Sequence, residues 1–154
     1  MNREGFAFID PGELVEGDLQ LRLKETKPAD PAKGLAPAYV FDMVLAGTAV
    51  RVGYIGLRVG NTEHLVQYGG HIGYNVEPDH RGHRYAARAY GLILPLAKRH
   101  GVNPVWITVT PENVASRRTC EILGAKLVET VDLPPDSDMY AKGERRKCRY
   151  RIDL

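Results

Sequence analysis

Between residues 73 and 101 the chain reads GYNVEPDHRGHRYAARAYGLILPLAKRHG, and its apolar period changes partway along. The first residues alternate as a strand does, whereas Ala86, Tyr90, Ile93, Leu94 and Ala97 recur at helical spacing. The spacing predicts a helix over residues 83–100. Lys98, Arg99 and His100 fall in its last turn, at the negative end of its dipole, and Gly101 follows as a stop. Pro95 lies inside the helix and predicts a kink there. A strand that runs into an amphipathic helix must cover the helix's apolar face with a sheet, which restricts the fold to the α/β class.

The flanking segments supply that sheet. Residues 19–26 alternate Leu19, Leu21 and Leu23 with polar partners and read as a half-buried strand. Residues 38–46, 49–59 and 69–76 read as three more, with a tight hairpin at AGTA and a looser turn at GNTEHL. After the helix, NPVWITVT is a short apolar strand of the kind covered on both faces. A second helix is predicted over residues 112–123, closed by Gly124, then a strand over 125–133, a long loop over 133–146 and a final strand over 145–154. Residues 1–18 have only a short apolar patch, Phe6 to Ile9, and read as peripheral. The order strands, helix, strand, helix, strand, loop, strand implies a mixed sheet with helical crossovers, and one domain spanning residues 1–154 accounts for it.

Composition narrows the function classes. A net charge of +2 does not by itself argue for nucleic acid or an anionic membrane. No apolar run has the length of a bilayer span, and the N-terminus has no long apolar leader, so a cytoplasmic protein is expected. Cys120 and Cys148 are the two cysteines, too few for a disulfide framework or a zinc site, and free thiols are expected. No metal site is expected.

Arg81, Gly82, His83 and Arg84 sit where the long helix begins. A helix start leaves backbone N–H groups unpaired and carries partial positive charge. Fed by a strand through a glycine-containing turn, it becomes a cradle for a phosphate or pyrophosphate. Gly82 allows close backbone approach, Arg81 and Arg84 add charge, and His83 adds a donor. Basic residues at a helix start are locally unfavourable by a few tenths of a kcal/mol, and a bound anion would relieve that. The competing reading is an ordinary connection with solvated basic residues.

From about Leu19 to the end, the element order resembles the GNAT superfamily of N-acetyltransferases. NVEPDHRGHRYA is similar to the family's acetyl-CoA signature, with Arg81 at its first position and Ala86 at its last. PENVASRRTCEILGA is similar to the Asn-x-x-Ser signature of the subgroup that includes ribosomal-protein N-terminal acetyltransferases. The resemblance implies a mixed, mostly antiparallel central sheet of six to seven strands, flanking helices and a splayed acetyl-CoA cleft. It implies that Arg81, Gly82, His83, Arg84, Tyr85 and Ala86 hold the pyrophosphate, that the Val76 N–H holds the thioester oxygen, and that Asn113 meets the pantetheine arm. Ser116 matches the position that protonates the leaving thiolate. The implied activity is transfer of acetyl from acetyl-CoA to a primary amine, small-molecule or peptide, by direct attack in a ternary complex. A non-catalytic acyl-CoA sensor of the same fold is the alternative. Three positions depart from the pattern: Arg84 replaces the middle glycine, Cys120 the usual tyrosine acid, and Ala125 the usual aromatic. Ser116 and Cys120 therefore both stand as candidate acids.

Other residues carry weaker signals. His71 lies in the strand that would flank the site, as a general base or as a satisfied structural histidine. Glu63 and Glu77 are alternative bases or solvated turn residues, and Tyr74 could face the substrate. Asp136, Asp138, Met139 and Tyr140 lie in a loop that borders the acceptor in the family, or is simply solvated. Arg145, Lys147, Arg149 and Arg151 share one face of the last strand. They read as a charged outer strand that resists aggregation more than as a nucleic-acid strip, because no aromatic is interleaved on that face. Homodimers are common in the superfamily, so a second copy is an expected partner.

Overall fold

The computed structural model describes residues 6–154. Its first sheet is fully antiparallel, in chain order: β1 (Leu14–Glu16), β2 (Leu19–Lys27), β3 (Ala38–Leu45), β4 (Arg51–Arg58) and β5 (Ile72–Val76). Helix α1 (Tyr85–Arg99) leads to β6 (Val105–Val109), and α2 (Val114–Ile122) leads to β7 (Lys126–Asp132). The short helix α3 (Asp138–Ala141) interrupts the connection to β8 (Arg146–Ile152). These last three strands form a second antiparallel sheet in the order β6, β8, β7.

The predicted periods match these elements. Leu19 and Leu21 point inward from β2, and Tyr39, Phe41 and Met43 from β3, all buried. Ala89, Tyr90, Ile93 and Ala97 form the α1 stripe that packs on the sheet, each with no exposed surface. α1 continues through Pro95 to Arg99. One hydrophobic cluster joins residues of both sheets and both long helices.

The structure revises three expectations about the flanks. Residues 6–16 are docked onto the body: β1 pairs with β2, Phe8 meets Tyr39 edge-on, and Phe6 stacks on His100. Residues 1–5 of the segment read as peripheral lie outside the described residues. Between the looser turn and the next strand, where the sequence assigns no element, the chain forms a π-helical turn, Leu65–Gly69, which takes the last residue of the one and the first of the other. Gly70 follows it at φ 75°, where a Cβ would come within 3.1 Å of the Thr108 nitrogen and the Trp106 oxygen. Only glycine allows that approach to β6. Finally, β8 is the central strand of its sheet and not an outer one. Lys147 and Arg149 are accordingly buried, and Arg149 donates to the Val66 carbonyl, pairs with Glu129 and lies 4.1 Å over the Trp106 ring. The middle of the basic strip is interior to the fold, whereas Arg145 and Arg151 stay exposed.

The two sheets meet at a single junction. The His71 N–H donates to the Trp106 carbonyl at 2.8 Å, and the Trp106 N–H donates to His71 Nδ1 at 2.9 Å. Beyond it no strand pairing joins β5 to β6 among the described residues, and the two strands splay apart.

Candidate active site

The splay begins at His71 and opens toward the turn that precedes α1. In that turn Pro78–His80 form one 3-10 turn, Gly82 has φ 94°, and Arg84 sits in the left-handed region at φ 58°, ψ 27°. Arg84 is the one non-glycine residue with positive φ among the described residues. That conformation costs an L-residue about 1–2 kcal/mol. The glycine-type geometry is therefore kept although the glycine is not. Arg88 N–H to the Arg84 carbonyl, 3.0 Å, is the first bond of the helix, which leaves the amides of Tyr85, Ala86 and Ala87 without helical partners. No side chain caps the start, and the first turn holds no acidic residue. The result is a donor-rich, positive helix mouth.

The register of β5 aims further donors at the gap. Glu77 N–H bonds the Val52 carbonyl and Arg58 N–H bonds the His71 carbonyl. In an antiparallel ladder bonded pairs alternate, so with Gly53 opposite Val76 and Ile55 opposite Tyr74, the main-chain groups of Tyr74 and Val76 face away from β4. The Val76 carbonyl is taken by Arg81 Nε at 3.0 Å, and its N–H points toward the splay.

Two cavities occupy the splay. The first, about 350 Å³, runs from Val76 past Arg81, Gly82, Arg84, Tyr85 and Ala86 to Ala115 and Thr119. The second, about 520 Å³, is walled by Tyr54, Tyr90, Thr110, Glu144 and Lys147. Tyr74, Asn113 and Ser116 border both. At this boundary the Tyr74 hydroxyl is 3.0 Å from Ser116 Oγ. Asn113 Oδ1 accepts the Ser116 N–H at 3.1 Å, which caps α2 and fixes Ser116 at its first turn.

The second cavity is polar and tightly bonded. Thr110 Oγ1 donates to Glu144 Oε1 at 2.7 Å, and Lys147 Nζ donates to the same oxygen at 2.7 Å. Burial opposes ionisation of Glu144, but the Lys147 ammonium and the Thr110 hydroxyl outweigh it and hold the carboxyl below its ordinary value. Tyr90 is fully buried, and its hydroxyl has no hydrogen-bond partner among the described residues. Burial pushes that phenol well above its ordinary value.

The expected cofactor residues thus come together: Val76, Arg81, Gly82, Arg84, Tyr85, Ala86 and Asn113 line one cleft, with His83 at its rim, its ring 5.2 Å from that of Tyr85. Ser116 lies at the centre. Two catalytic candidates do not join them. Cys120 is in the core on the inner side of α2, its thiol pushed up to about 12 by burial, and it borders neither cavity. His71 is fully buried at the sheet junction. Its Nδ1 accepts from Trp106, and its Nε2–H donates to the Gly60 carbonyl at 2.9 Å, so neither nitrogen is free to act as a base. Glu63 is exposed, Glu77 pairs with Arg51, and Asp136, Asp138, Met139 and Tyr140 border neither cavity. Sequence reasoning missed Tyr54, Tyr90, Glu144 and Lys147 as site residues. They come from four separate segments, and no local spacing links them.

A family model described as an acetyltransferase (GNAT) domain matches residues 11–126. The chain belongs to the GNAT acetyltransferases. Among solved structures, the GNAT fold recurs in a probable acetyltransferase from Chromobacterium violaceum (14% identity, 96% of this chain and 88% of that one, TM-score 0.69). A ribosomal-protein alanine acetyltransferase from Vibrio fischeri is similar at 13% identity, 92% and 96% coverage and TM-score 0.67. A GNAT-family acetyltransferase from Bacillus anthracis shares 24% identity over 74% of this chain and 65% of its own, with TM-score 0.58. No curated protein sequence matches significantly. Membership makes the chain an acyltransferase, with acetyl-CoA as the family's donor. No described helix is long and apolar enough to cross a membrane. The first cavity brings together three open amides, two arginines and a left-handed turn, and a gap leads from there to Val76 and Ser116.

Proposed function

We propose that this GNAT protein transfers the acetyl group of acetyl-CoA directly to a primary amine, with the donor in the first cavity and the acceptor in the second. The observation that carries the reading is the shared wall. Tyr74 and Ser116 are the side chains that touch both cavities and each other. A thioester lying along β5 meets an amine from the opposite side at that wall.

In this reading the amides of Tyr85 to Ala87 and the guanidinium of Arg84 hold the diphosphate, while Asn113 meets the pantetheine arm. The Val76 N–H bonds the thioester oxygen and stabilises the charge that develops on it. The neutral amine attacks the carbonyl carbon, a C–N bond forms, and the C–S bond breaks. Ser116 gives its proton to the departing sulfur, and Tyr74, bonded to Ser116, replenishes it. The chain thereby has a phenol near Ser116, contributed by β5, although the tyrosine usual in α2 is Cys120 here. The nitrogen sheds one proton as the amide forms; it leaves through the polar second cavity, and one proton from solvent restores Tyr74. Holding both reactants across one wall is itself a large part of the rate gain. A cytoplasmic enzyme is consistent with two free, buried cysteines.

The test is release of free CoA thiol from acetyl-CoA with a panel of amines, beside calorimetric binding of acetyl-CoA. Amine-dependent release is expected. Tight binding of acetyl-CoA with no release for any amine would favour an acyl-CoA sensor instead.

A further inference from the structure

The second cavity holds a feature that acetyl transfer in general does not require: opposite charges side by side, each with bonding capacity to spare. Both contacts to Glu144 go to Oε1, and Oε2 has no protein partner among the described residues. Lys147 Nζ donates to Glu144 Oε1 and, at 3.4 Å, to Thr110 Oγ1, which leaves one of its three N–H groups unassigned. Tyr90 adds an independent sign that a ligand belongs here. Its side chain lines this cavity, with the hydroxyl buried behind the wall and without a hydrogen-bond partner among the described residues. Buried polar groups are rarely left so in a finished structure.

We propose that the second cavity is an acceptor site for a small zwitterionic amine, a free amino acid or close analogue. Glu144 Oε2 takes the amino end, and Lys147 takes the carboxylate. This inference rests on the acetyl-transfer reading above. The charge balance decides the class. Glu144 and Lys147 sum to zero, so a polyamine or aminoglycoside would bring uncompensated positive charge into a partly buried site. A simple alkylamine would leave the third Lys147 N–H without a partner. A zwitterion leaves the total charge unchanged and satisfies both ends. A protonated peptide N-terminus offers only a neutral carbonyl to Lys147 and, like a polyamine, brings positive charge that the site does not compensate.

The experiment measures CoA release by the wild-type protein with free amino acids, the matching amines that lack the carboxylate, spermidine, and a short peptide with a free N-terminus. The amino acids are expected to exceed their matching amines in kcat/KM by about tenfold or more, the effect of one charged hydrogen bond. Lys147→Met is then expected to erase that preference while acetyl-CoA binds with unchanged affinity. Equal or faster turnover of the decarboxylated amines, spermidine or the peptide overturns the zwitterion assignment and leaves acetyl transfer standing. Silence with every amine in a protein that binds acetyl-CoA overturns the transfer reading as well. If Lys147→Met does not fold, the wild-type comparison of amino acid with matching amine still decides.

Discussion

The two cavities that share Tyr74, Asn113 and Ser116 are built by opposite means. The donor cleft is largely main chain: its walls come from residues 74–86 and from the first turns of α2. The acceptor cavity is largely side chain, assembled from β4, α1, β6, β8 and the residues just before β8. Backbone recognition tolerates substitution. Arg84 occupies the motif's glycine position, and the chain still turns left-handed there, so the amides still face outward. Side-chain recognition has no such tolerance, because each charge in the acceptor cavity is balanced by another.

Single substitutions sharpen that contrast, from the largest expected effect to the smallest. Gly82→Glu should remove measurable acetyl-CoA binding, at least about 100-fold. It sets a carboxylate at the helix mouth and forces a side chain onto a residue at φ 94°. Calorimetry reading wild-type affinity would break the main-chain account of the donor cleft. Ser116→Ala should lower kcat by about 100-fold, at the low end for general acid catalysis, with little change in acetyl-CoA affinity. Tyr74→Phe should lower kcat too, and the double variant should be no worse than the poorer single one, as for groups that act as a unit. Full activity in Tyr74→Phe would mean that Ser116 works alone.

Behind the second cavity, Tyr90→Phe should raise stability. Deleting an unpaired buried hydroxyl relieves about 1–3 kcal/mol, read as a higher Tm. A lower Tm would show that the hydroxyl is already satisfied in the free protein. Arg84→Gly should also raise the Tm, by a few degrees, because it removes left-handed strain of about 1–2 kcal/mol. An unchanged Tm would mean that the turn stores no strain.

The smallest effect concerns pH. Burial holds His71 below its ordinary 6.5, the Gly60 carbonyl pulls the other way, and the Arg58 charge adds to the burial. The unfolded chain therefore binds this proton at a higher pH than the folded chain does. His71 then favours folding above pH 6.5, and that share fades as pH falls through the depressed folded value. His100 is held low in the same direction, by burial and by Arg99. His71→Gln should flatten the acid limb of a stability-versus-pH curve only in part. An unchanged acid limb would mean that His71 does not titrate there.

The contrast also explains what could be read from the chain. The donor cleft was legible because its parts are consecutive: the strand ends at Val76, the turn holds Gly82, and the helix follows at once. Asn113 and Ser116 were legible as one cap and one turn of α2. The helices and most strands followed from period, since Leu19 and Leu21, or Ala89, Tyr90 and Ile93, need only count residues to share a face. His71 stayed open between two readings because its neighbours are remote. Trp106 lies 35 residues away, and only the fold sets its N–H against the imidazole. Cys120 was misread by alignment to a tyrosine position, when the inward face of a short helix simply buries it. Lys147 and Arg149 were taken as outer charges because strand order is not written in the strand itself. β8 lies between β6 and β7 although it comes last in the chain. Glu144 was one more polar residue of a loop until Thr110 and Lys147 closed around it.

The stitch between His71 and Trp106 acts as a fulcrum. β5 runs five residues beyond it, so at about 3.3 Å per residue Val76 lies roughly 17 Å away. A rocking of about 10° at the stitch would carry the Val76 amide by about 3 Å over that arm, the full length of a hydrogen bond. The Tyr74–Ser116 bond already ties β5 to α2 in the free protein, and a donor lying between them would add to that tie. Loading should therefore be ordered, with the thioester seated first and the amine received by a site that its arrival has just squared up.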